Sequence, residues 1–333
     1  MEALKSVLGG ERVARFPDKS CWSIDGERLQ TTPDFFAYLR ISDGCNNCCA
    51  YCAIPMIRGR LRSREIENVV REARELASNG VKELILVAQD TTLYGTDIYG
   101  RPALPELLEQ LCTIDGLKWI RLLYCYPEHI TDRLLEVMAA QDKIVKYMDI
   151  PIQHASGRVL GAMNRPGDGQ TLRRVIEKIR KAVPGIVLRT TVMTGFPGEG
   201  QEEFDELCEF IRDMRFERLG CFAFSPEEGT AAAAMPNQVD EKEKRRRRDI
   251  IMQEQSLISG EINHSQIGKT MDILIESYDR YAECWFGRSA ADAPDIDGKV
   301  FITRTRGKIK PGDFVRVLIT DSMDWDLMGE CCD

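Results

Sequence analysis

The feature that most constrains the fold is a repeated alternation of strand-like and helix-like segments between residues 38 and 224. Short apolar runs of strand character are separated by stretches whose apolar residues recur at i, i+3 and i+4, as in the segment 65–79. Such alternation is typical of parallel βαβ units. Six repeats predict an α/β fold with a partial (β/α)6 barrel, although an open doubly wound sheet would give the same pattern. The predicted strands are 38–42, 82–88, 118–124, 145–150, 186–193 and 218–224, and the predicted helices are 65–79, 104–112, 131–140, 172–183 and 202–214.

The carboxyl-terminal part of the chain changes character. A long charged helix is predicted from Val239 to about Gln266, and its basic run at 242–248 is interleaved with acidic residues, which favours a solvated face. Short strand-like runs separated by Gly and Pro follow and predict a small antiparallel β-barrel. The expected domains are an irregular lead-in (1–32), an α/β barrel (33–238), a connecting helix (239–266) and the small β-barrel (267–333).

Three cysteines, Cys45, Cys49 and Cys52, stand in the loop after the first predicted strand. A [4Fe-4S] cluster held by protein alone normally takes four thiolates, so a Cys-x3-Cys-x2-Cys loop leaves one iron open for another ligand. A vacant position is the usual mark of a catalytic metal centre. Cys48 has a different spacing and is expected not to be a ligand.

A structural zinc site and a disulfide framework are the alternatives for these cysteines. Zinc usually takes four ligands in two pairs, and no second pair accompanies Cys49 and Cys52. A chain of 333 residues can bury a core without disulfides, and no signal peptide precedes the loop. No apolar run approaches the ~20 residues that a membrane helix requires. The expected setting is therefore a reducing cytoplasm without membrane contact.

Several short sequence strings accompany the cysteine loop in a fixed order. They are Ile41-Ser-Asp-Gly-Cys, Ala53-Ile-Pro, Ile57-Arg-Gly-Arg, Arg62-Ser-Arg64, Gln89-Asp-Thr-Thr-Leu-Tyr-Gly95, Pro151-Ile-Gln-His-Ala155, Met163-Asn-Arg165, Leu188-Arg-Thr-Thr and Gly195-Phe-Pro-Gly-Glu199. Together they resemble the radical SAM methylthiotransferase family, from about Thr32 to the end of the chain. The last segment resembles a TRAM domain.

The resemblance implies one [4Fe-4S] cluster on Cys45, Cys49 and Cys52, with S-adenosylmethionine (SAM) chelating the open iron. One electron from the reduced cluster would then cleave SAM to a 5′-deoxyadenosyl radical. Five further residues are candidate SAM contacts, each with an ordinary structural alternative. Tyr51 would pack on adenine or only shield the cluster, Gln89 and Gln153 would bond the ribose or methionine moiety, Arg189 would pair with the SAM carboxylate or serve a barrel ion pair, and Gly195 would allow close approach to the cofactor or form an ordinary turn.

Two branches of the family compete for the substrate. One modifies an adenosine of tRNA, and the other transfers a methylthio group to the β-carbon of an aspartate in a small-subunit ribosomal protein. The strings Gly287–Gly298 and Asp324-Trp-Asp-Leu327 resemble the second branch. Residues 267–333 hold 13 acidic and 9 basic residues, a net of −4 that suits a basic ribosomal protein better than RNA. One basic stripe, alternating as a strand face would, leaves contact with rRNA or tRNA open: Arg304, Arg306, Lys308 and Lys310.

The resemblance also implies parts that this chain is expected to lack. Family members carry an amino-terminal domain whose three cysteines hold a second [4Fe-4S] cluster, the sulfur carrier, whereas only Cys21 precedes the loop here. The chain alone is therefore expected to cleave SAM, with an electron donor such as flavodoxin or ferredoxin, but not to complete methylthiolation. A non-enzymatic, metal-stabilised module that binds the ribosome is the alternative of another class.

Overall fold

The computed structural model describes residues 2–10, 12–13, 24–26, 28–305 and 307–332. Its elements in the first part are α1 (Glu2–Leu8), β1 (Phe36–Arg40), β2 (Ser42–Asp43), α2 (Ile54–Arg58), β3 (Arg62–Ser63), α3 (Ile66–Ser78), β4 (Glu83–Val87), α4 (Thr96–Tyr99), α5 (Leu104–Cys112), β5 (Trp119–Leu122), α6 (Asp132–Ala140), β6 (Ile144–Asp149), α7 (Gly157–Ala162), α8 (Gly169–Ala182), β7 (Val187–Thr194), α9 (Gln201–Met214) and β8 (Arg218–Ala223). The elements that follow are α10 (Glu241–His264), β9 (Thr270–Asp279), β10 (Cys284–Arg288), β11 (Val300–Arg304), β12 (Phe314–Ser322) and β13 (Leu327–Cys331).

Six parallel strands form one sheet in the order β1-β4-β5-β6-β7-β8. The sheet does not close, since β1 and β8 are its two edges, and the predicted partial barrel is confirmed. Because the strands are parallel, their carboxyl ends meet at one end of the barrel and their amino ends at the other.

Alternation along each strand decides which residues face the helices. In β7 the even positions Leu188, Thr190, Val192 and Thr194 are buried, while the odd positions stay partly accessible on the inner face of the barrel. The helices bury apolar stripes against the sheet; α3, for example, buries Val69, Val70, Ala73 and Leu76 in the main core.

The carboxyl-terminal unit is a closed barrel of five strands in the order β10-β11-β13-β12-β9. Four of the pairings are antiparallel, and β11 and β13 pair in parallel. The sequence patterns predict four of these strands and miss β13, whose glycine and acidic residue interrupt the apolar pattern. The barrel has its own core, which includes Ile273, Ile275, Val300, Ile302 and Val317.

The small barrel packs against the amino ends of the large one. Leu274, Ala293 and Phe314 join an apolar cluster with residues of β1, β4 and β5, and the rings of Phe314 and Trp119 lie 4.7 Å apart edge to face. The last residue of β10 is Arg288, whose guanidinium bonds Glu83 at the first position of β4 at 2.6 Å. Residues of the carboxyl-terminal unit thus close the end of the large barrel at which its strands begin.

Two predictions for the helical segments are wrong. The lead-in is predicted to be irregular, but Glu2–Leu8 is helical; most of residues 11–27 lie outside the described part. The basic run of α10 is not a uniformly solvated face, because Lys244 and Arg247 are buried while Arg245 and Arg246 are exposed. Lys244 extends along the barrel and bonds Glu241, so its charged end still reaches a partner. None of the described helices combines the length and the apolarity that crossing a lipid bilayer requires.

Candidate active site

The cysteine loop, residues 44–53, runs from the end of β2 to the start of α2. Gly44 has φ of +79°, and a Cβ at this position would clash with the carbonyl of Arg60, so glycine is required at the entry. Cys45 N–H donates to Gly59 O at 3.1 Å, and Cys52 N–H donates to Cys49 O at 3.0 Å. Backbone hydrogen bonds therefore hold the loop in this conformation without the help of a bound metal.

The three thiols of Cys45, Cys49 and Cys52 line one cavity of about 500 Å³ at the carboxyl ends of the strands. Two polar atoms of its lining, Ser42 Oγ and Gln89 Oε1, are buried and have no hydrogen-bond partner among the described residues. A buried polar atom without a partner costs free energy unless a ligand bonds it. The site thus combines three soft donors with two polar groups that await a partner. The other lining residues are Arg40, Asn47, Ile54, Val87, Ala88, Tyr124 and Tyr126.

Asp90 joins the cysteine loop to the ends of the next two strands. Its carboxylate is 1% exposed and accepts from Asn47 Nδ2 at 2.9 Å and from the backbone N–H of Thr92 at 3.0 Å. His129 Nδ1 lies 3.1 Å from the same carboxylate, and this hydrogen bond raises the pKa of His129 above its ordinary value. Asp90 thereby orients Asn47 inside the loop, next to Cys45.

Two tyrosines after β5 complete the wall of the cavity. The Tyr126 hydroxyl lies 2.9 Å from Cys49 Sγ. Tyr124 adopts φ of +59°, and its N–H donates to Asp149 Oδ2 at 3.1 Å. A non-glycine residue in the left-handed region is held there by its surroundings and is typical of functional loops.

Burial disfavours the thiolate form of two of the three cysteines, Cys45 and Cys52. It raises the pKa of Cys45 to about 11, and it raises the pKa of Cys52 above its ordinary value. Iron ligation requires the thiolate, so loading the site would release protons. The described residues contain no group of three or more His, Cys, Asp or Glu side chains that could hold a single metal ion.

The structure brings only some of the predicted SAM contacts to this cavity. Gln89 lines it, whereas Tyr51 packs partly against the barrel core, beside Cys49 and Arg165, and burial raises its pKa. Gln153 follows β6 with φ of +68°, and its backbone bridges to Val192, but it is not among the lining residues.

Arg189 is engaged in the ion pair that the sequence left as an alternative. Its Nη1 donates to Asp149 Oδ1 at 2.8 Å, and its Nε lies 3.5 Å from Asp297 Oδ1 of the carboxyl-terminal unit. The guanidinium lines a separate cavity between the two units rather than the one with the cysteines. Its position near the start of β7 explains this, because Arg189 lies five positions before Thr194, the last residue of the strand.

Gly195 approaches a side chain of α10 closely. Its φ is +73°, and a Cβ there would clash with the side chain of Lys244. Its N–H donates to Glu199 Oε2 at 2.8 Å, while Arg247 Nη1 donates to Glu199 Oε1 at 2.8 Å. The Gly195–Glu199 string therefore anchors α10 to the barrel, and its glycine is a turn residue in contact with that helix.

The basic stripe of the carboxyl-terminal barrel is not a strand face. β11 ends at Arg304, and Lys308 and Lys310 lie in the following loop. Arg306 lies outside the described residues. Arg304, Lys308 and Lys310 are exposed, so the charges are accessible although the alternation does not come from a strand.

Sequence reasoning missed Tyr126, Asn47 and Arg165 as contributors to the site. In an α/β barrel, functional residues lie at the carboxyl ends of the strands, and this rule points to Tyr124 and Tyr126 at the end of the third predicted strand. Arg165 belongs to the string Met163-Asn-Arg165, which has no spacing typical of a binding site. Its contact with the site depends on the path of the chain after α7, which periodicity does not determine.

Comparison with known proteins agrees with this geometry. Residues 39–211 match the Radical SAM superfamily, and residues 267–332 match the TRAM domain. The partial barrel, the cysteine loop and these matches define a radical SAM protein with a TRAM domain.

The relatives narrow the class to one family. The ribosomal protein uS12 methylthiotransferase RimO of Caldanaerobacter subterraneus subsp. tengcongensis is 46% identical over 331 residues, 99% of this chain and 75% of that protein. The protein of the same name from Clostridium botulinum (strain Eklund 17B / Type B) is 50% identical over 305 residues, 92% of this chain and 68% of that protein. The chain belongs to the RimO family of radical SAM methylthiotransferases. Among solved structures, coproporphyrinogen III oxidase (HemN) of Escherichia coli shares 15% identity with a TM-score of 0.49, over 70% of this chain and 54% of that one.

Proposed function

We propose that this chain carries the radical-generating site of an enzyme that transfers a methylthio group to the β-carbon of an aspartate in ribosomal protein uS12. The observation that carries the proposal is the cavity where Cys45, Cys49 and Cys52 converge with the unpartnered Ser42 Oγ and Gln89 Oε1. The names of the relatives support the substrate class. The proposed division of the chain follows the expected domains, with the radical SAM barrel at 33–238 and the TRAM-like barrel at 267–333.

In this site Cys45, Cys49 and Cys52 would hold a [4Fe-4S] cluster, and Gln89 and Ser42 would bond SAM. A cluster with an open iron supplies the electron that cleaves SAM to a 5′-deoxyadenosyl radical. The protein holds the loop rigidly through Asp90 and Asn47, and the surrounding barrel shields the reacting atoms from water. The other four candidate residues would not touch the cofactor and would instead support the barrel and its loops: Tyr51, Gln153, Arg189 and Gly195.

Two finer parts of the proposal rest on the family. A second [4Fe-4S] cluster outside the described residues would carry the sulfur. An acidic one-electron carrier such as flavodoxin or ferredoxin would dock beside the cysteine loop, where Met56, Ile57, Arg58 and Arg60 are exposed. The described cysteines form no disulfide, which supports a cytoplasmic, reducing setting.

The exposed charges of the TRAM-like unit support a contact with nucleic acid near the substrate. Arg304, Lys308 and Lys310 would touch rRNA in a ribosomal particle, or tRNA if the other branch of the family were the right one. Binding of uS12 and of tRNA at two salt concentrations distinguishes these, because phosphate contacts weaken steeply as salt rises. Binding to tRNA alone would contradict the uS12 assignment.

The test of the metal site uses Cys48, the cysteine of the loop that is not expected to bind the cluster, as a matched control. The wild-type chain and the variants Cys45→Ala, Cys49→Ala, Cys52→Ala and Cys48→Ala are reconstituted anaerobically. Iron, sulfide and electron paramagnetic resonance (EPR) are measured with and without SAM, and 5′-deoxyadenosine is quantified. Cys48 is exposed and points at Asn46 O at 3.6 Å, so its variant should keep the cluster while the other three lose it. Loss of the cluster in Cys48→Ala, or a wild-type EPR signal that SAM does not change, would contradict the proposal.

A further inference from the structure

The string Met163-Asn-Arg165, which follows α7, contacts the backbone of the cysteine loop. Met163 O accepts from Ala50 N–H at 2.9 Å, and Asn164 Nδ2 donates to Cys48 O at 2.7 Å. Asn164 has φ of +56°, a conformation that asparagine tolerates and that directs its side chain to this bond. Two residues of the string therefore hold the backbone of the loop on either side of Cys49.

The third residue of the string, Arg165, is a buried cation with incomplete pairing. Its side chain is 1% exposed, and its Nη2 donates to Pro151 O at 3.1 Å and lies 3.4 Å from Glu128 Oε1. Its Nε and Nη1 are buried and have no hydrogen-bond partner in the part of the chain that the structure describes. A guanidinium is always charged, so burial is costly unless negative charge lies nearby. Glu128 supplies this negative charge only in part, because its Oε1 lies 3.4 Å from Arg165 Nη2.

Tyr126 connects Arg165 to the metal site. The Arg165 guanidinium lies 4.0 Å from the centre of the Tyr126 ring, and the hydroxyl of the same ring lies 2.9 Å from Cys49 Sγ. The cation fixes the ring by a cation–π contact and favours its hydroxyl as a donor. When Cys49 is a thiolate, the hydroxyl would therefore point its proton at the sulfur.

We propose that Arg165 and Tyr126 form a counter-charge unit for the iron–sulfur cluster, with Tyr126 donating a hydrogen bond to the Cys49 sulfur and Arg165 holding the ring and placing positive charge beside it. This inference rests on the proposed function, since it requires the cluster at Cys49. Hydrogen bonds to cluster sulfurs and nearby charge set the reduction potential. The cluster gains one negative charge when it takes up an electron, so the unit makes its reduction easier. Both are positioning residues, because they act on the cluster through the Cys49 sulfur.

The test measures the reduction potential of the cluster in the reconstituted chain without SAM, by EPR during titration with dithionite. Arg165→Met removes the charge at similar length, Arg165→Lys keeps the charge, and Tyr126→Phe removes only the hydroxyl. Arg158→Gln is the control, because Arg158 lies on α7 but is exposed and pairs with Glu203. Iron content and circular dichroism accompany each titration, so only samples with wild-type cluster loading and fold are compared.

The proposal expects Arg165→Met and Tyr126→Phe to shift the potential to more negative values, Arg165→Lys to shift it less than Arg165→Met, and Arg158→Gln to leave it unchanged. A wild-type potential in both Arg165→Met and Tyr126→Phe would overturn it, as would equal shifts in Arg165→Met and Arg165→Lys. If Arg165→Met does not retain a cluster, Tyr126→Phe decides by the same criterion. Failure of the wild-type chain to take up a cluster would instead contradict the proposed function.

Discussion

The two ends of the large barrel treat buried polar groups in opposite ways. At the amino end, Glu83 accepts from Arg121 Nε at 2.8 Å and from Arg288 Nη2 at 2.6 Å, and all three side chains are at most 1% exposed. At the carboxyl end, Ser42 Oγ, Gln89 Oε1 and two nitrogens of Arg165 are buried and have no hydrogen-bond partner within residues 2–10, 12–13, 24–26, 28–305 and 307–332.

The paired charges at the amino end stabilise the fold, whereas the polar groups at the carboxyl end belong to the proposed functional site. A buried charge is tolerated when its partners are present, and the amino end supplies them by bringing in Arg288 and Asp297 from the TRAM-like unit. In the proposed site the polar groups of the carboxyl end would bond a cofactor, which would stabilise the folded state only when it is bound. The unpaired Arg121 Nη2 departs from this division, and its guanidinium lies 4.7 Å from the centre of the Tyr147 ring.

The largest expected effect comes from Glu83→Gln, which breaks the pairing at the amino end. Two buried guanidiniums would lose their shared carboxylate, and breaking a buried pair of this kind costs about 3–5 kcal/mol of unfolding free energy. Chemical denaturation measures the loss. The control Glu106→Gln removes an exposed pair with Arg101 and should cost less than about 1 kcal/mol. Equal costs for the two variants would show that the amino end does not stabilise the fold through this pair.

A smaller effect is expected for Tyr147→Phe, also at the amino end. The Tyr147 hydroxyl bonds Asp297 Oδ2 at 2.7 Å, and burial keeps the phenol protonated by raising its pKa. Loss of a hydrogen bond to a carboxylate should cost about 1.5–3 kcal/mol in the same denaturation experiment. Tyr281→Phe is the control, since Tyr281 is fully exposed and should change nothing measurable. A silent Tyr147→Phe would mean that the two units are not held together at this point.

Acid should weaken the amino end with a predictable sign. Burial by itself raises the pKa of Glu83, but Arg121 and Arg288 outweigh it and hold the pKa below the ordinary value of 4.5. The stability that ionised Glu83 contributes is therefore fully present above pH 4.5, and it is lost as the pH falls through the lower folded pKa. One such group changes stability by at most about 1.4 kcal/mol per pH unit. Denaturation at several pH values should show the gap between the wild-type chain and Glu83→Gln narrowing in acid; a gap that widens would reverse the assignment.

The smallest effect on stability is expected at the carboxyl end, for Gln89→Leu. Because Gln89 Oε1 has no hydrogen-bond partner among the residues described, its removal should change the unfolding free energy by about 1 kcal/mol or less. The same change should weaken SAM binding to the reconstituted protein about 3- to 10-fold, the value of one hydrogen bond. Calorimetry or equilibrium dialysis measures the affinity. Gln110→Leu, on the exposed side of α5, should leave it unchanged, and an unaltered affinity in Gln89→Leu would remove this residue from the SAM site.

The sequence predicts most of the barrel because its elements are repetitive. The helix at 104–112 is found with its observed ends, and the strand at 82–88 differs from β4 by one residue at each end. β13 is missed because its glycine and acidic residue interrupt the apolar pattern. The cysteine loop is apparent from its spacing alone, since metal ligands from one loop need no tertiary information.

The positions of Arg189 and Gly195 could not be obtained in this way. Arg189 lies within a predicted strand and Gly195 follows it, yet the first pairs with Asp149 and Asp297 and the second faces Lys244. The partners Asp297 and Lys244 lie 108 and 49 positions further along the chain, as their residue numbers show. No local pattern encodes such a pairing.

The amino-acid sequence by itself determined the order of strands and helices and the three thiols of the metal loop, because periodicity and ligand spacing are local properties. The tertiary structure alone decided which polar groups find partners. It paired Glu83 with two arginines from separate segments and placed Arg165 and Tyr126 beside Cys49. These contacts depend on how distant segments meet, and burial makes each charge dependent on a neighbour that folding must bring to it.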